Sequence, residues 1–471
     1  NLATIQRHTG HNELFDTSMA FENFTQHDTP RHDFWDAGFL RGREHGLLSE
    51  ESEASRGFAH YPLSLAVFPG DRLSFEISYR QDVFDTARAH AFADRFAGLL
   101  GVLADDPGRL VGRTESLLAT ERTQVLEDWN DTAVPAAPET VRGAFEAQAA
   151  RTPDAVALVD GDTRLSYAEL DARANQWARA LMDRGLRPGA RVVVSLPRGA
   201  DWLTSVLAVL KAGGSYVPLD MAFPPERMRV VTADVRPACV VTCAGSSWAD
   251  APADDGVRVL VDDLRSAADA CSAAALPEDT RPLPDDGAYV MFTSGSTGLP
   301  KGVEATHADV VALARDSRFA AGHEVMLSHS SLMFDASTYE LWVPLLAGGR
   351  VVVSPPQALT AAGLRNLVRT HGITSLFLTT ALFHAFALDD PECLSGLREV
   401  WTGGEAVRSD AVRRVRDHCP ELVVVDVYGP TETTTFATSF PVPVGEEVPS
   451  VLPIGRPMDN TQVYVLDNAL R

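Results

Sequence analysis

The chain has 471 residues, room for roughly three domains of about 150 residues each, and its 45% apolar content is ordinary for a protein that buries a core. Lys and Arg number 41 against 64 Asp and Glu, a net charge of −23. Such an excess repels phosphate backbones and anionic headgroups, so neither nucleic acid nor a membrane is expected as the main partner, and a bound nucleotide needs a local site.

The chain opens "NLATIQRHTGHNEL", without a Met or a signal-peptide pattern, and reads as the middle of a longer protein. No apolar run approaches the ~18–20 residues that span a bilayer. Five cysteines (Cys239, Cys243, Cys271, Cys393, Cys419) come without a His cluster or a second close pair. They are expected as free thiols of a reducing cytosol, with a zinc site at Cys239 and Cys243 as the alternative.

The first part is read as residues 1–115. "PLSLAVFPGDRLSFEISYR" (Pro62 to Arg80) alternates, with Leu63, Leu65, Val67, Leu73, Phe75, Ile77 and Tyr79 on one face. Pro69, Gly70 and Asp71 supply a turn, which predicts a hairpin. A helix follows, capped by Asp85, with Phe92, Phe96, Leu99, Leu100 and Leu103 as its apolar stripe. One hairpin and one helix bury too little to stand alone, so this is a piece of something larger.

Residues 116–141 read as a connector, because "NDTAVPAAPET" (Asn130 to Thr140) is rich in Pro, Ala and small polar residues. From residue 142 to 471 helical and strand patterns alternate. "SYAELDARANQWARALMDRG" is a helix stopped by Gly185, "RVVVSL" a strand, and "DWLTSVLAVLKAGG" a second helix. "GRVVVS" and "ELVVVDVYG" are further buried strands, and the alternation predicts an α/β fold with a largely parallel sheet.

After the apolar "AYVMF" comes "TSGSTGLPKG", Thr293 to Gly302. Glycines expose backbone N–H groups in a concave turn and hydroxyls donate to phosphate oxygens, so the stretch is a candidate phosphate loop. It is not the P-loop of nucleotide triphosphatases. Counting from Gly295, Pro300 stands where the second glycine belongs, and Gly302 where a magnesium-binding hydroxyl belongs.

This stretch resembles the signature loop of adenylate-forming enzymes. "LSYAEL" (Leu165 to Leu170), "LKAGGSYVPLD" (Leu210 to Asp220), "FDAS" (Phe334 to Ser337) and "VYGPTETT" (Val427 to Thr434) are similar, in the family's order, to motifs of the adenylation domains of nonribosomal peptide synthetases. The resemblance implies an adenylate-forming N-terminal core of stacked, mostly parallel sheets flanked by helices. "RHTGHNELF" (Arg7 to Phe15) resembles a late motif of condensation domains, implying an α+β fragment of the C-terminal lobe upstream. That family's paired-His motif is absent: His8 and His11 are not adjacent, so no peptide-bond formation is expected from this part.

The implied reaction is attack of an amino-acid carboxylate on the α-phosphate of ATP, giving aminoacyl-AMP and pyrophosphate. The carboxylate is already a nucleophile, so alignment and electrostatics should dominate. By resemblance, Thr293, Ser294, Ser296, Thr297 and Gly298 hold phosphates, with Lys301 as a cation. Tyr428 and Gly429 lie at adenine, with Gly403, Gly404 and Glu405 close to the base. Thr431 bonds phosphate and Glu432 holds Mg²⁺, a hard cation suited to carboxylate oxygen. Asp426 stands where the family usually has Asn; it can accept from the adenine amine but, ionised, cannot donate to a ring nitrogen.

In the same way Asp335 pairs with the substrate's α-ammonium, since either charge buried alone costs several kcal/mol. This favours an α-amino acid over the alternative, an acyl- or aryl-CoA ligase; a non-catalytic platform for carrier or helper proteins is a third reading. The remaining pocket positions are Ala336, Tyr339, Phe377, Trp401, Gly403, Val427, Thr435 and Phe436. None is charged and several are bulky, so a small or branched aliphatic side chain is expected. The chain stops at "TQVYVLDNALR", before the family's C-terminal subdomain with its Lys and before a carrier domain with its phosphopantetheine, so this stretch by itself is expected to be weakly active or inactive. The resemblance leaves a small activator protein open as a further partner.

Overall fold

The computed structural model describes residues 17–21, 37–43, 49–50, 61–68, 73–249, 257–294 and 300–466. The chain divides into two compact units, Asn1–Asp128 and Trp129–Arg471. The stretch Arg7 to Phe15 and the turn residues Pro69, Gly70 and Asp71 lie outside the described residues.

In the first unit a five-stranded sheet runs in the order Thr17–Phe21, Leu63–Phe68, Ser74–Arg80, Ala37–Arg43, Ser49–Glu50. The expected hairpin is present, with Leu65 opposite Ile77, and its buried face carries Leu63, Leu65, Val67, Phe75, Ile77 and Tyr79. Leu73 departs from the expectation: it precedes the strand and is exposed. The helix Thr86–Asp105 starts at Asp85, whose side chain accepts from the Arg88 N–H at 2.7 Å. It packs on the sheet with Ala89 and Ala93 buried and Phe92 and Phe96 packed beside them, the Phe96 ring edge-on to Phe75. Leu103, expected on the stripe, is exposed. Within the stretch 116–141, Ala119–Leu126 is helical and Asp128–Asn130 forms a short turn of helix.

The second unit holds two sheets. One has six strands in the order Val257–Leu260, Cys239–Thr242, Arg191–Ser195, Ser215–Pro218, Gly287–Ser294, Pro300–Thr306, parallel except for the last pair. The other has nine, in the order Arg456–Pro457, Thr438–Val442, Val423–Tyr428, Glu399–Gly403, Ser375–Thr379, Val325–Ser328, Arg350–Val353, Val156–Asp160, Thr163–Ser166. Its centre is parallel and its edges antiparallel. Valine-rich runs such as "RVVV" suit strands covered on both faces.

Helices enclose these sheets. Tyr167–Asp183 begins in a capping box, Ser166 accepting from the Glu169 N–H and Glu169 from the Ser166 N–H. It ends at Gly185, whose φ of +102° suits glycine. The helix Ala336–Ala347 has buried residues all round, from Ala336 to Leu346, as a helix packed on every side must. Beneath it Lys211, wholly buried, pairs with Glu146 at 2.6 Å and Asp171 at 2.8 Å, and Arg142 with Glu146 at 3.1 Å.

The stretch after Asp128 is laced to the far end of the same unit. Asn130 Nδ2 donates to the Val463 carbonyl and its Oδ1 accepts from the Val463 N–H, while Thr132 Oγ1 donates to the Thr461 carbonyl. The side chains of Asn130 and Thr132 thus pin the start of this segment to the backbone of Thr461 and Val463.

Candidate active site

The parallel strands of the larger sheet place three neighbouring carboxyl ends side by side. Phe377, Trp401 and Val425 are in register, as are Thr379, Gly403 and Val427 one pleat further on. Such carboxyl ends are where open α/β sheets present ligand sites. A Cβ on Gly403 would stand 2.1 Å from the Val427 carbonyl oxygen, and one on Gly429 2.3 Å from that of Thr435. Only glycine allows these approaches.

Asp335 stands at the start of the helix Ala336–Ala347 but makes no side-chain cap bond to it. Its carboxyl is half-buried, and burial pushes its pKa up; the Thr431 hydroxyl and the N–H groups of Ala336 and Asp335 pull it down, and the charge of Glu432 pushes it up again. No ion pair of Asp335 forms among the described residues. Thr435 Oγ1 donates to the Asp335 carbonyl at 2.9 Å. Thr434 and Thr435 both adopt left-handed backbone, at φ +57° and +78°. For β-branched residues this costs of order 1–3 kcal/mol each, and it turns the buried Phe436 inward.

The two ends of the "TSGSTGLPKG" stretch lie on neighbouring antiparallel strands, an arrangement not foreseen in the sequence. Thr293 faces Lys301 and Ser294 faces Pro300. Ser296, Thr297 and Gly298 lie outside the described residues, as does the side chain of Ser294. The return strand brings Lys301 Nζ to 3.7 Å from Glu432 Oε1. Thr431 and Glu432 occupy the short helical turn Thr431–Thr433, and Tyr428 stands half-exposed at the end of its strand. The Thr380 hydroxyl donates to the Glu405 carbonyl and accepts from its N–H, holding the turn that contains Gly404. Asp426 is buried, and desolvation lifts its pKa to about 6 against the pull of the Val427 N–H.

Beyond Asp335 lies a wall of rings. Trp401 stacks on Phe436 at 5.8 Å; Tyr339 meets Trp401 at 5.7 Å and Phe436 at 5.2 Å, and Phe377 meets Phe436 at 5.9 Å. Thus Asp335, Tyr339, Phe377, Trp401, Thr435 and Phe436, which belong to separate elements, come together, with Thr431, Glu432 and Lys301 beside them.

A family model described as AMP-binding enzyme matches residues 145–471. The chain belongs to the AMP-binding enzymes. Ahead of this AMP-binding domain, residues 1–126 match the condensation domain, the order found in nonribosomal peptide synthetases. A linear gramicidin synthase of Brevibacillus parabrevis is 37% identical over 89% of this chain and 6% of its own length. The AMPPNP-bound form of the synthetase FmoA3 is 31% identical with a TM-score of 0.78, over 89% of this chain and 46% of that one. A holo synthetase protein containing adenylation and PCP domains is 31% identical at a TM-score of 0.65, over 73% and 58%. The chain thus spans a small fraction of the gramicidin synthase and about half of each solved protein.

Residues that motif reading passed over support the AMP-binding domain's site. Glu340 is wholly buried and accepts from the N–H groups of His329 and Ser330 and from the Ser330 hydroxyl at 2.6 Å. Arg198 donates to the carbonyls of Ser328 and Ser330. Together they hold the segment that leads into Asp335. The signal was available: a lone acid in the apolar helix "ASTYELWVPLLA" cannot be buried without donors. His323, Phe319 and Glu399, which pack behind Tyr339 and Trp401, carried no such mark.

Proposed function

We propose that this AMP-binding domain activates an α-amino acid with a small or branched aliphatic side chain, using ATP to form aminoacyl-AMP for loading onto the phosphopantetheine of a carrier domain in a nonribosomal peptide synthetase. The observation that carries the reading is Asp335: a half-buried carboxyl with a raised pKa, no cap bond and no ion pair, at the mouth of an apolar wall. Such a group calls for a cation, and an α-ammonium answers it. A CoA ligase for fatty or aryl acids would leave this charge unanswered.

The wall supports an apolar side chain, because its polar handles point away from the cavity. Trp401 Nε1 donates to Glu399, and the Tyr339 hydroxyl is engaged by His323 and Ser375. A charged side chain would meet aromatic faces and no counter-ion.

In the proposed reaction a substrate carboxylate oxygen bonds to the α-phosphorus as the bond to pyrophosphate breaks. No proton moves, so the domain's residues align and neutralise. Asp335 anchors the ammonium, Thr431 and Lys301 face the phosphates, and Gly403 to Glu405 with Tyr428 flank the base. Bound Mg²⁺ supplies positive charge to the phosphate oxygens. Glu432 suits it as one carboxylate ligand, since no cage of three or more acidic, His or Cys groups gathers among the described residues and Mg²⁺ keeps water and phosphate ligands.

The test is binding of aminoacyl-sulfamoyl adenosines to the full chain by calorimetry. Valyl and alanyl analogues should bind and aspartyl and lysyl analogues should not. Amino-acid-dependent pyrophosphate exchange in the parent synthetase should show the same preference. Equal binding of the charged analogues would overturn the reading.

A further inference from the structure

The Trp401 indole is buried, and its Nε1 reaches back along its own strand to Glu399 Oε2 at 2.8 Å. Residues two apart on a strand share a face, so this bond leans the ring toward the strand's start. Gly403 and the cleft lie at the opposite end of the strand. Phe319, His323, Tyr339 and Phe436 surround the indole, at 4.9, 5.7, 5.7 and 5.8 Å between ring centres. None of them offers its N–H an acceptor in place of Glu399, since the Tyr339 hydroxyl and both His323 ring nitrogens are committed elsewhere. His323 Nδ1 lies 3.1 Å from the Ala321 carbonyl and so carries the proton. Its Nε2 then accepts from the Tyr339 hydroxyl at 2.8 Å, whose oxygen accepts from Ser375 Oγ at 3.1 Å. Glu399 keeps partial contact with solvent, and its Oε2 also stands 3.8 Å from His323 Nε2.

We propose that Glu399 is a specificity-positioning residue, which sets the depth of the side-chain pocket by holding the Trp401 indole back from the cleft. The proposal rests on the pocket reading above and deepens it. An indole N–H without its acceptor is costly to keep buried. Released, the ring turns toward the cleft, where water and ligand polar groups are reachable, and fills the volume a branched side chain needs. Glutamine keeps an acceptor oxygen at the same reach and holds the ring.

The experiment compares valyl- and alanyl-sulfamoyl adenosine binding to the full chain by calorimetry, in the parent, Glu399→Leu, Glu399→Gln and Trp401→Phe with and without Glu399→Leu. Glu399→Leu should move the valyl-to-alanyl affinity ratio toward alanine by about tenfold, as expected for one to two methylenes of lost space. Glu399→Gln should keep the parent ratio. In the Trp401→Phe background, which lacks the N–H, Glu399→Leu should change the ratio by less than about twofold. A ratio that stays put or moves toward valine in Glu399→Leu overturns the proposal, as does an equal shift in the Trp401→Phe background. If Glu399→Leu does not fold, Glu399→Ala takes its place under the same criteria. Failure of the parent to bind either analogue would instead sink the pocket reading and this inference together.

Discussion

Thr435 Oγ1 donates to the Asp335 carbonyl oxygen over 2.9 Å, joining residues one hundred positions apart. The bond ties a strained left-handed turn to the residue proposed to meet the substrate's ammonium. Both ends of that link belong to segments that carry recognisable motifs, yet the link itself is tertiary.

Asp335 should trade stability for function. Its folded pKa is raised above the unfolded value of 3.8, chiefly by burial. An acid so shifted binds more protons folded than unfolded, and its cost grows as pH rises past the unfolded value through the folded one. Asp335→Asn should therefore raise the melting temperature at pH 7.5 and not at pH 3.5, while abolishing discrimination for the α-ammonium in the sulfamoyl-adenosine series. Thermal unfolding and calorimetry on the same samples check both halves.

Asp426 follows the same sign with a window that can be placed. Its pKa moves from 3.8 to about 6. The penalty is absent below pH 3.8, grows between, and is complete above about 6. Asp426→Asn should gain up to about 3 kcal/mol at pH 8 and nothing at pH 3.5. Urea denaturation at the two pH values measures it. In the proposed site the amide would also face the base as a donor, so ATP affinity should rise.

Two buried histidines act in the opposite direction. His307 and His323 are both depressed from 6.5 to about 4, by desolvation first. The unfolded chain takes up protons at 6.5 that the folded chain refuses until about 4. Their contribution is full above pH 6.5 and lost as pH falls through 4, up to about 3 kcal/mol each. Denaturation midpoints at pH 7 and pH 5 should differ accordingly, and His307→Asn with His323→Asn should flatten the slope.

Lys211 is enclosed, with Glu146 and Asp171 as its partners. Lys211→Met leaves Asp171 without its cation, while Glu146 keeps Arg142 and Arg281, and should cost about 3–5 kcal/mol by urea denaturation. Adding Asp171→Asn should recover much of that loss, because the uncompensated charge goes with it, whereas adding Glu146→Gln should not, because it leaves the buried Arg142 without its carboxylate.

Local patterns were legible wherever cause and effect lie close along the chain. Ser166 and Glu169 mark a helix start because the capping box spans four residues, and Gly185 marks its stop because a left-handed cap needs no distant partner. The strands "RVVV" and "VVVDVY" announce burial on both faces, and Asp85 caps its helix as composition requires. Leu103 of that helix misled: it is exposed, and the helix buries Ala89 and Ala93 instead.

The sequence by itself determined the α/β alternation, the element ends and the residues in which the adenylate-forming motifs lie, because periodicity, capping and turn chemistry act over a few residues. Only the tertiary structure decided that Asp335 forms no ion pair among the described residues, that the strand antiparallel to Gly287–Ser294 carries Lys301 to Glu432, and that Trp401 leans on Glu399 while Tyr339 is held by His323 and Ser375. Those outcomes turn on desolvation and on which donors meet which acceptors, and in most of them the partners come from strands and helices far apart in the chain.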